Sequence, residues 1–274
     1  MDAFGVWGLW TAPLSVAPVL KERLFDRKRS VVLTSATLTV GGSFRYLRER
    51  LGLEDAREVL LGTPFDYREA ALVCVATDVP EPDAPGYGEA VAEVVADLAR
   101  ALGGHTMALF TAYRTLRTIA RILRPILEGE GVRVLAQGVD GAPRRLLEEF
   151  LREPRAVLLG TATFWEGVDI GGEALKALVV ARLPFHVPTE PVFAARSQLY
   201  PDPFRQYTIP LALLRFRQGF GRLIRGQGDR GAVVLLDRRA VSRPYGALFL
   251  QALPDCRVVR LPWREIAGAV AQWL

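Results

Sequence analysis

Residues 156–170 read AVLLGTATFWEGVDI. The first five, Ala156 to Gly160, are an unbroken apolar run of strand length, and the string after them opens on small hydroxylated residues. A run that is apolar on both faces fits a buried strand of a parallel sheet better than a half-exposed hairpin strand. The unit repeats on either side. LVCVA at 72–76, MALF ending at Phe110, VRVLA at 132–136, LKALVVA at 175–181, GAVVLLD at 231–237 and CRVVRL at 256–261 read as strands. Helical stretches fall between them at about 89–102, 116–127, 143–151 and 245–253, with a last one from Trp263. Pro143 is placed to open its helix. Alternating helix and short apolar strand predicts an α/β chain with a parallel sheet covered by helices on both faces.

Open α/β sheets bind ligands beyond the carboxyl ends of their strands, so the residues just past each run are the candidates. Phe110-Thr111-Ala112-Tyr113 is one such edge; Thr111 either bonds a phosphate or caps the next helix. Gln137-Gly138 marks another and offers no more than a turn. In GTATFWEGVDI, lone carboxylates such as Glu166 and Asp169 are ordinarily solvated loop charges. A Trp-Glu-Gly-Val-Asp string directly after a buried strand is nonetheless an uncommon composition.

QGFGRLIR, residues 218–225, reads as a helix. At 100° per residue, Gln218, Arg222 and Arg225 fall within about 60° of one another, with Phe216, Phe220 and Leu223 on the opposite side. The amide and two guanidiniums are thereby expected in a shared cleft. Gly219 and Gly221 each cost about 1 kcal/mol in a helix interior, which implies close approach of a backbone or ligand. The other reading is an amphipathic surface helix with solvated arginines.

Upstream, Trp7, Leu9, Trp10 and Pro13 suggest a short strand within 4–14, and Ser15 caps a helix from Val16 to about Phe25. VVLTSATL, Val31 to Leu38, reads as a buried strand. Its Thr34, Ser35 and Thr37 either cap the following helix, which runs to Leu51, or serve a site. GTPFDY spans Gly62 to Tyr67, and Pro80, Pro82, Pro85 and Gly86 form an irregular loop.

Composition narrows the function. The 274 residues carry a net charge of +5, almost wholly from arginine, which suits a polyanionic partner without requiring one. The only lysines are Lys21, Lys28 and Lys176, and none follows a glycine, so the chain has no Gly-x-x-x-x-Gly-Lys-Ser/Thr phosphate loop. It also lacks an Asp-Glu pair to hold magnesium. Cys74 and Cys256, like His105 and His186, fit no metal-ligand spacing or nucleophilic triad. No apolar run reaches membrane-spanning length, and MDAFGVWGLW lacks the basic start of a signal peptide, so a cytoplasmic location is expected.

These motifs, in this order, resemble superfamily 2 helicases of the DinG and XPD branch, closest to bacterial DinG. QGFGRLIR resembles the sixth motif, TSATL the third, Phe110 to Tyr113 the fourth with Ala112 in place of serine, and GTATFWEGVDI the fifth. GTPFDY is similar to a Ser-Pro-Phe-Asp-Tyr signature with Thr63 for serine. Arg182-Leu183-Pro184-Phe185 and Asp237-Arg238-Arg239 continue the likeness.

The resemblance implies a RecA-like second motor domain over 87–274, a connecting segment at 62–86, and the tail of a first motor domain over 1–61. It gives Arg225 the role of a finger on the γ-phosphate of ATP, supported by Arg222, with Gln218, Glu166, Gly167 and Asp169 on the nucleotide side. It puts Thr111, Tyr113 and Thr163 on the DNA, and Thr34, Ser35 and Thr37 in coupling the two. The implied partners are single-stranded DNA, traversed 5′ to 3′, and an N-terminal half in the same or a separate chain. That half would hold most of the ATP and Mg²⁺, leaving this chain without hydrolysis of its own, and no iron-sulfur cluster is expected here. A stand-alone nucleic-acid-binding or regulatory module derived from such a helicase is the competing reading.

Overall fold

A computed structural model of the chain describes residues 11–165, 170 and 174–274. In chain order the elements are α1 (Ala17–Arg23), α2 (Arg45–Leu51), α3 (Tyr67–Ala70), β1 (Ala71–Ala76), α4 (Tyr87–Leu102), β2 (Thr106–Leu109) and α5 (Tyr113–Leu127). Then come β3 (Arg133–Ala136), α6 (Pro143–Arg152), β4 (Ala156–Gly160), α7 (Ala162–Trp165), β5 (Ala177–Val180), α8 (Pro191–Ser197) and α9 (Ile209–Phe220). β6 (Gly231–Leu235), α10 (Arg239–Ser242), α11 (Gly246–Gln251), β7 (Arg257–Leu261) and α12 (Ile266–Trp273) complete the chain. They fall into two compact units, one of residues 1–60 and 186–210, the other of 61–185 and 211–274.

The larger unit holds a seven-stranded sheet in the order β3-β4-β2-β5-β6-β1-β7. Every pairing is parallel. Successive side chains on a strand point to opposite faces, so each apolar run feeds two cores. Leu72, Cys74, Ala108, Phe110, Val157, Val179 and Val234 meet buried residues of α4, α5 and α12 on one face. Met107 and Leu109 alternate with them and point toward the other face, and Phe164, Trp165, Phe216 and Phe249 are also fully buried. Burying a Val or Leu side chain of such a run contributes about 1.5–3 kcal/mol, which favours placing the run inside the sheet. β1, from the stretch read as connecting, sits within this sheet between β6 and β7. Burial pushes the Cys74 thiol up to about 12 and that of Cys256 up to about 11.

The smaller unit is held by aromatic contacts. His186 stacks on Phe193 at 4.9 Å, Phe193 lies 5.1 Å from Tyr207, and Tyr200 stacks on Tyr207 at 5.3 Å between centroids. The Arg50 guanidinium sits over Tyr207 at 5.4 Å. Burial pushes the Tyr46 phenol well above its ordinary value.

Two sequence expectations need correction here. Residues 31–35 form no strand, and Val32 is 85% exposed. A strand exists only where neighbours take its backbone N–H and C=O groups, and among the described residues of this unit the one ladder contact is the isolated bridge Val40–Ser43. Thr34 and Ser35 are exposed, and the Ser35 hydroxyl accepts from the Thr37 N–H at 3.2 Å in a local turn. Ser15 does not cap α1, whose N-cap is Val16 with Pro18 in the first turn. The short strand expected within 4–14 falls mostly outside the described residues, and 11–14 carry no regular element.

Candidate functional site

A parallel sheet brings all strand carboxyl ends to one edge, and β3, β4 and β2 are adjacent there. Thr111 follows β2 and is half-buried; Ala112, not Thr111, is the N-cap of α5, and no side chain caps the helix. Tyr113 opens α5 and is 45% exposed. Thr163 lies in α7 after β4 and is exposed.

Gln137, at the end of β3, joins these edges. Its Oε1 accepts from the Thr161 N–H at 2.7 Å and from the Thr161 hydroxyl at 3.0 Å. Its Nε2 donates to Tyr113 Oη at 2.9 Å and, more weakly, to Thr163 Oγ1 at 3.4 Å. The Gln137 side chain is buried, while both hydroxyls it reaches belong to exposed residues. Gly138 follows with φ of 71°, and a Cβ there would stand 3.2 Å from the Tyr113 ring, so only glycine gives that ring its place. From Tyr113, α5 carries Arg114, Arg117 and Arg121 exposed along one side at helical spacing.

The α9 end differs from the sequence expectation. Gly219 is placed where a Cβ would meet the Trp165 ring at 2.9 Å, so the close approach implied by that glycine is made by an indole. The helix stops at Phe220. Beyond it the Arg222 and Leu223 N–H groups bond three residues back, to Gly219 and Phe220, tightening the chain into a turn. Two glycines in three residues weaken the helix enough for that turn to win. Phe216, Phe220 and Leu223 are buried as expected, but Gln218, Arg222 and Arg225 do not form one helical face. Arg222 is 3% exposed and so is not held out in a cleft, whereas Gln218 and Arg225 are exposed. Asp229 accepts from the backbone N–H groups of both Arg225 and Gly226 at 2.7 Å, fixing the loop that presents Arg225. Next to that loop lies a groove of about 490 Å³ lined by Phe65, Asp66, Glu69, Gln227, Asp229 and Arg230.

Asp237, past β6, is fully buried. It accepts from the Leu183 N–H at 2.8 Å and from Arg239 Nε at 2.8 Å, and this bond raises the Arg239 pKa. Tyr87 donates to the Ala181 carbonyl. Both stretches that continued the motif order thus tie β5 to β6. Glu166, Gly167 and Asp169 lie outside the described residues. Among the described residues no three His, Cys, Asp or Glu side chains stand close enough to hold a metal ion, and no helix is long and apolar enough to cross a membrane.

Residues 95–256 match the family model described as helicase C-terminal domain. Over 273 residues the chain is 38% identical to the 3′-5′ exonuclease DinG of Bacillus subtilis (strain 168), covering 96% of this chain and 29% of that protein. It is 38% identical over 262 residues to the ATP-dependent DNA helicase YoaA of Escherichia coli (strain K12), covering 94% and 40%. With the ATP-dependent helicase DinG of Mycobacterium tuberculosis (strain ATCC 25618 / H37Rv) the identity is 35% over 279 residues, covering 96% and 41%. The chain therefore spans less than half the length of these relatives. The solved S. tokodaii Xpd4 shares the fold with a TM-score of 0.57 at 17% identity, over 88% of this chain and 47% of that one.

Proposed function

Because this chain belongs to the helicase C-terminal domain family, we propose that it is the C-terminal motor portion of an ATP-dependent DNA helicase of DinG type, moving 5′ to 3′ on single-stranded DNA. The observation that carries this reading is Arg225, an exposed guanidinium on a loop whose backbone is clamped by Asp229. In phosphoryl transfer a positioned arginine neutralises charge that develops on the transferring group, worth about 10³ to 10⁵ in rate. Arg222, being buried, supports that loop from beneath, and Gln218 meets the nucleotide from the exposed side of α9. Glu166, Gly167 and Asp169 complete the nucleotide side.

The sequence contains no phosphate loop or Asp-Glu pair, so an N-terminal half, in this or another chain, holds ATP and Mg²⁺, and the 274 residues alone do not hydrolyse ATP. Residues 1–61 form the tail of that half's domain, 62–86 the connection, whose β1 joins the sheet of the next domain, and 87–274 the second motor domain. The exposed VVLTSATL stretch supports this division, since neighbouring strands supplied by that half would cover it and let Thr34, Ser35 and Thr37 couple the nucleotide to the DNA.

The DNA path runs over Thr111, Tyr113 and Thr163, with Arg114, Arg117 and Arg121 beside it. Such groups contact phosphate and sugar rather than base edges, which makes binding salt-dependent and indifferent to sequence. Fluorescence anisotropy of a labelled single-stranded oligonucleotide against this chain should show affinity falling steadily with salt. A scrambled oligonucleotide should bind within about twofold at equal salt. A strong preference for one sequence would overturn the DNA path.

A further inference from the structure

The Gln137 amide has a fixed orientation. A backbone N–H can only donate, so the 2.7 Å contact from Thr161 obliges Oε1 to face β4. Nε2 must then face Tyr113 and Thr163, and its two hydrogens go to their oxygens at 2.9 and 3.4 Å. A hydroxyl carries one hydrogen and accepts through its lone pairs. With acceptance already committed to Gln137, each hydroxyl keeps its own hydrogen for whatever lies outside. Both residues are exposed, so that outside is the surface beyond the strand ends.

We infer that Gln137 is a positioning residue that turns Tyr113 and Thr163 into outward hydrogen-bond donors, and so tunes this edge for groups that only accept. The phosphodiester oxygens of a single strand are such groups. This rests on the DNA path proposed above and adds to it the reason the two hydroxyls act as a pair. A glutamate at 137 would keep the acceptor that Thr161 needs. It would also draw the two hydroxyl hydrogens inward, which reverses the polarity of the surface without emptying the site.

The test measures anisotropy of a labelled oligothymidylate with the 274-residue chain and its variants. Tyr113→Phe and Gln137→Glu should each weaken binding about three- to tenfold, the scale of one lost hydrogen bond. In a Tyr113→Phe/Thr163→Val background, with the hydroxyls gone, Gln137→Glu should add less than about twofold, because there is no polarity left to reverse. If Gln137→Glu weakens binding equally in both backgrounds, the effect is charge repulsion and the inference is wrong. Should Gln137→Glu fail to fold, the double hydroxyl variant alone decides, since it changes two exposed side chains: binding equal to wild type sinks the inference. Absence of any binding by the wild-type chain removes the DNA path and the inference with it, whereas binding without hydroxyl dependence removes only the inference.

Discussion

GAVVLLD at 231–237 and VVLTSATL at 31–38 are both rich in β-branched and aliphatic residues, and both read as buried strands. The first is β6, hydrogen-bonded to β5 on one side and β1 on the other, with all five of its residues buried. The second forms no strand, and Val31, Val32 and Leu33 are exposed. Side-chain character is nearly the same; the difference is whether neighbours exist to take the backbone hydrogen bonds. An apolar run is therefore a demand for a sheet rather than proof of one.

The sharpest way to break this contrast is to truncate the same kind of side chain in both places. Leu235→Ala, at a fully buried position, should destabilise the larger unit by about 2–5 kcal/mol. Val32→Ala should change stability by no more than about 0.5 kcal/mol. Urea unfolding of each variant measures both, and equal losses would mean that 31–38 is packed after all. A smaller effect sharpens the same comparison through glycines. Gly219→Ala drives a methyl against Trp165 and should cost about 1–3 kcal/mol. Gly62→Ala, with nothing within 4 Å and exposed Val59, Leu60 and Leu61 just before it, should again stay within about 0.5 kcal/mol.

The same contrast explains what could be read in advance. Strands and helices of the sheet were legible because burial on both faces leaves unbroken apolar runs between amphipathic stretches; α4, α6 and β4 fall close to their expected limits. The end of α9 was not, because helical periodicity continues arithmetically through Arg222 and Arg225 whether or not two glycines have already ended the helix. Burial of Arg222 was hidden for the same reason. Gln137 read as a turn since its partners, Thr161, Tyr113 and Thr163, sit about 24 residues away in sequence and meet only at the sheet edge. Its signal was the glycine at 138, which announced a close approach without naming the ring. The order of the motifs along the chain survived all of this, because it depends on strand ends and not on the angle at which any one side chain leaves its helix.

The claim that this chain supplies an arginine to a nucleotide held elsewhere meets its most direct test in ATP turnover. The chain is joined to the phosphate-loop half of a DinG protein, and DNA-stimulated hydrolysis is compared for wild type, Arg225→Lys and Arg225→Ala. Loss of about 10³-fold or more in Arg225→Ala, with only slight recovery in Arg225→Lys, is the expected result. Hydrolysis by Arg225→Ala at the wild-type rate, under the same DNA stimulation, would contradict it.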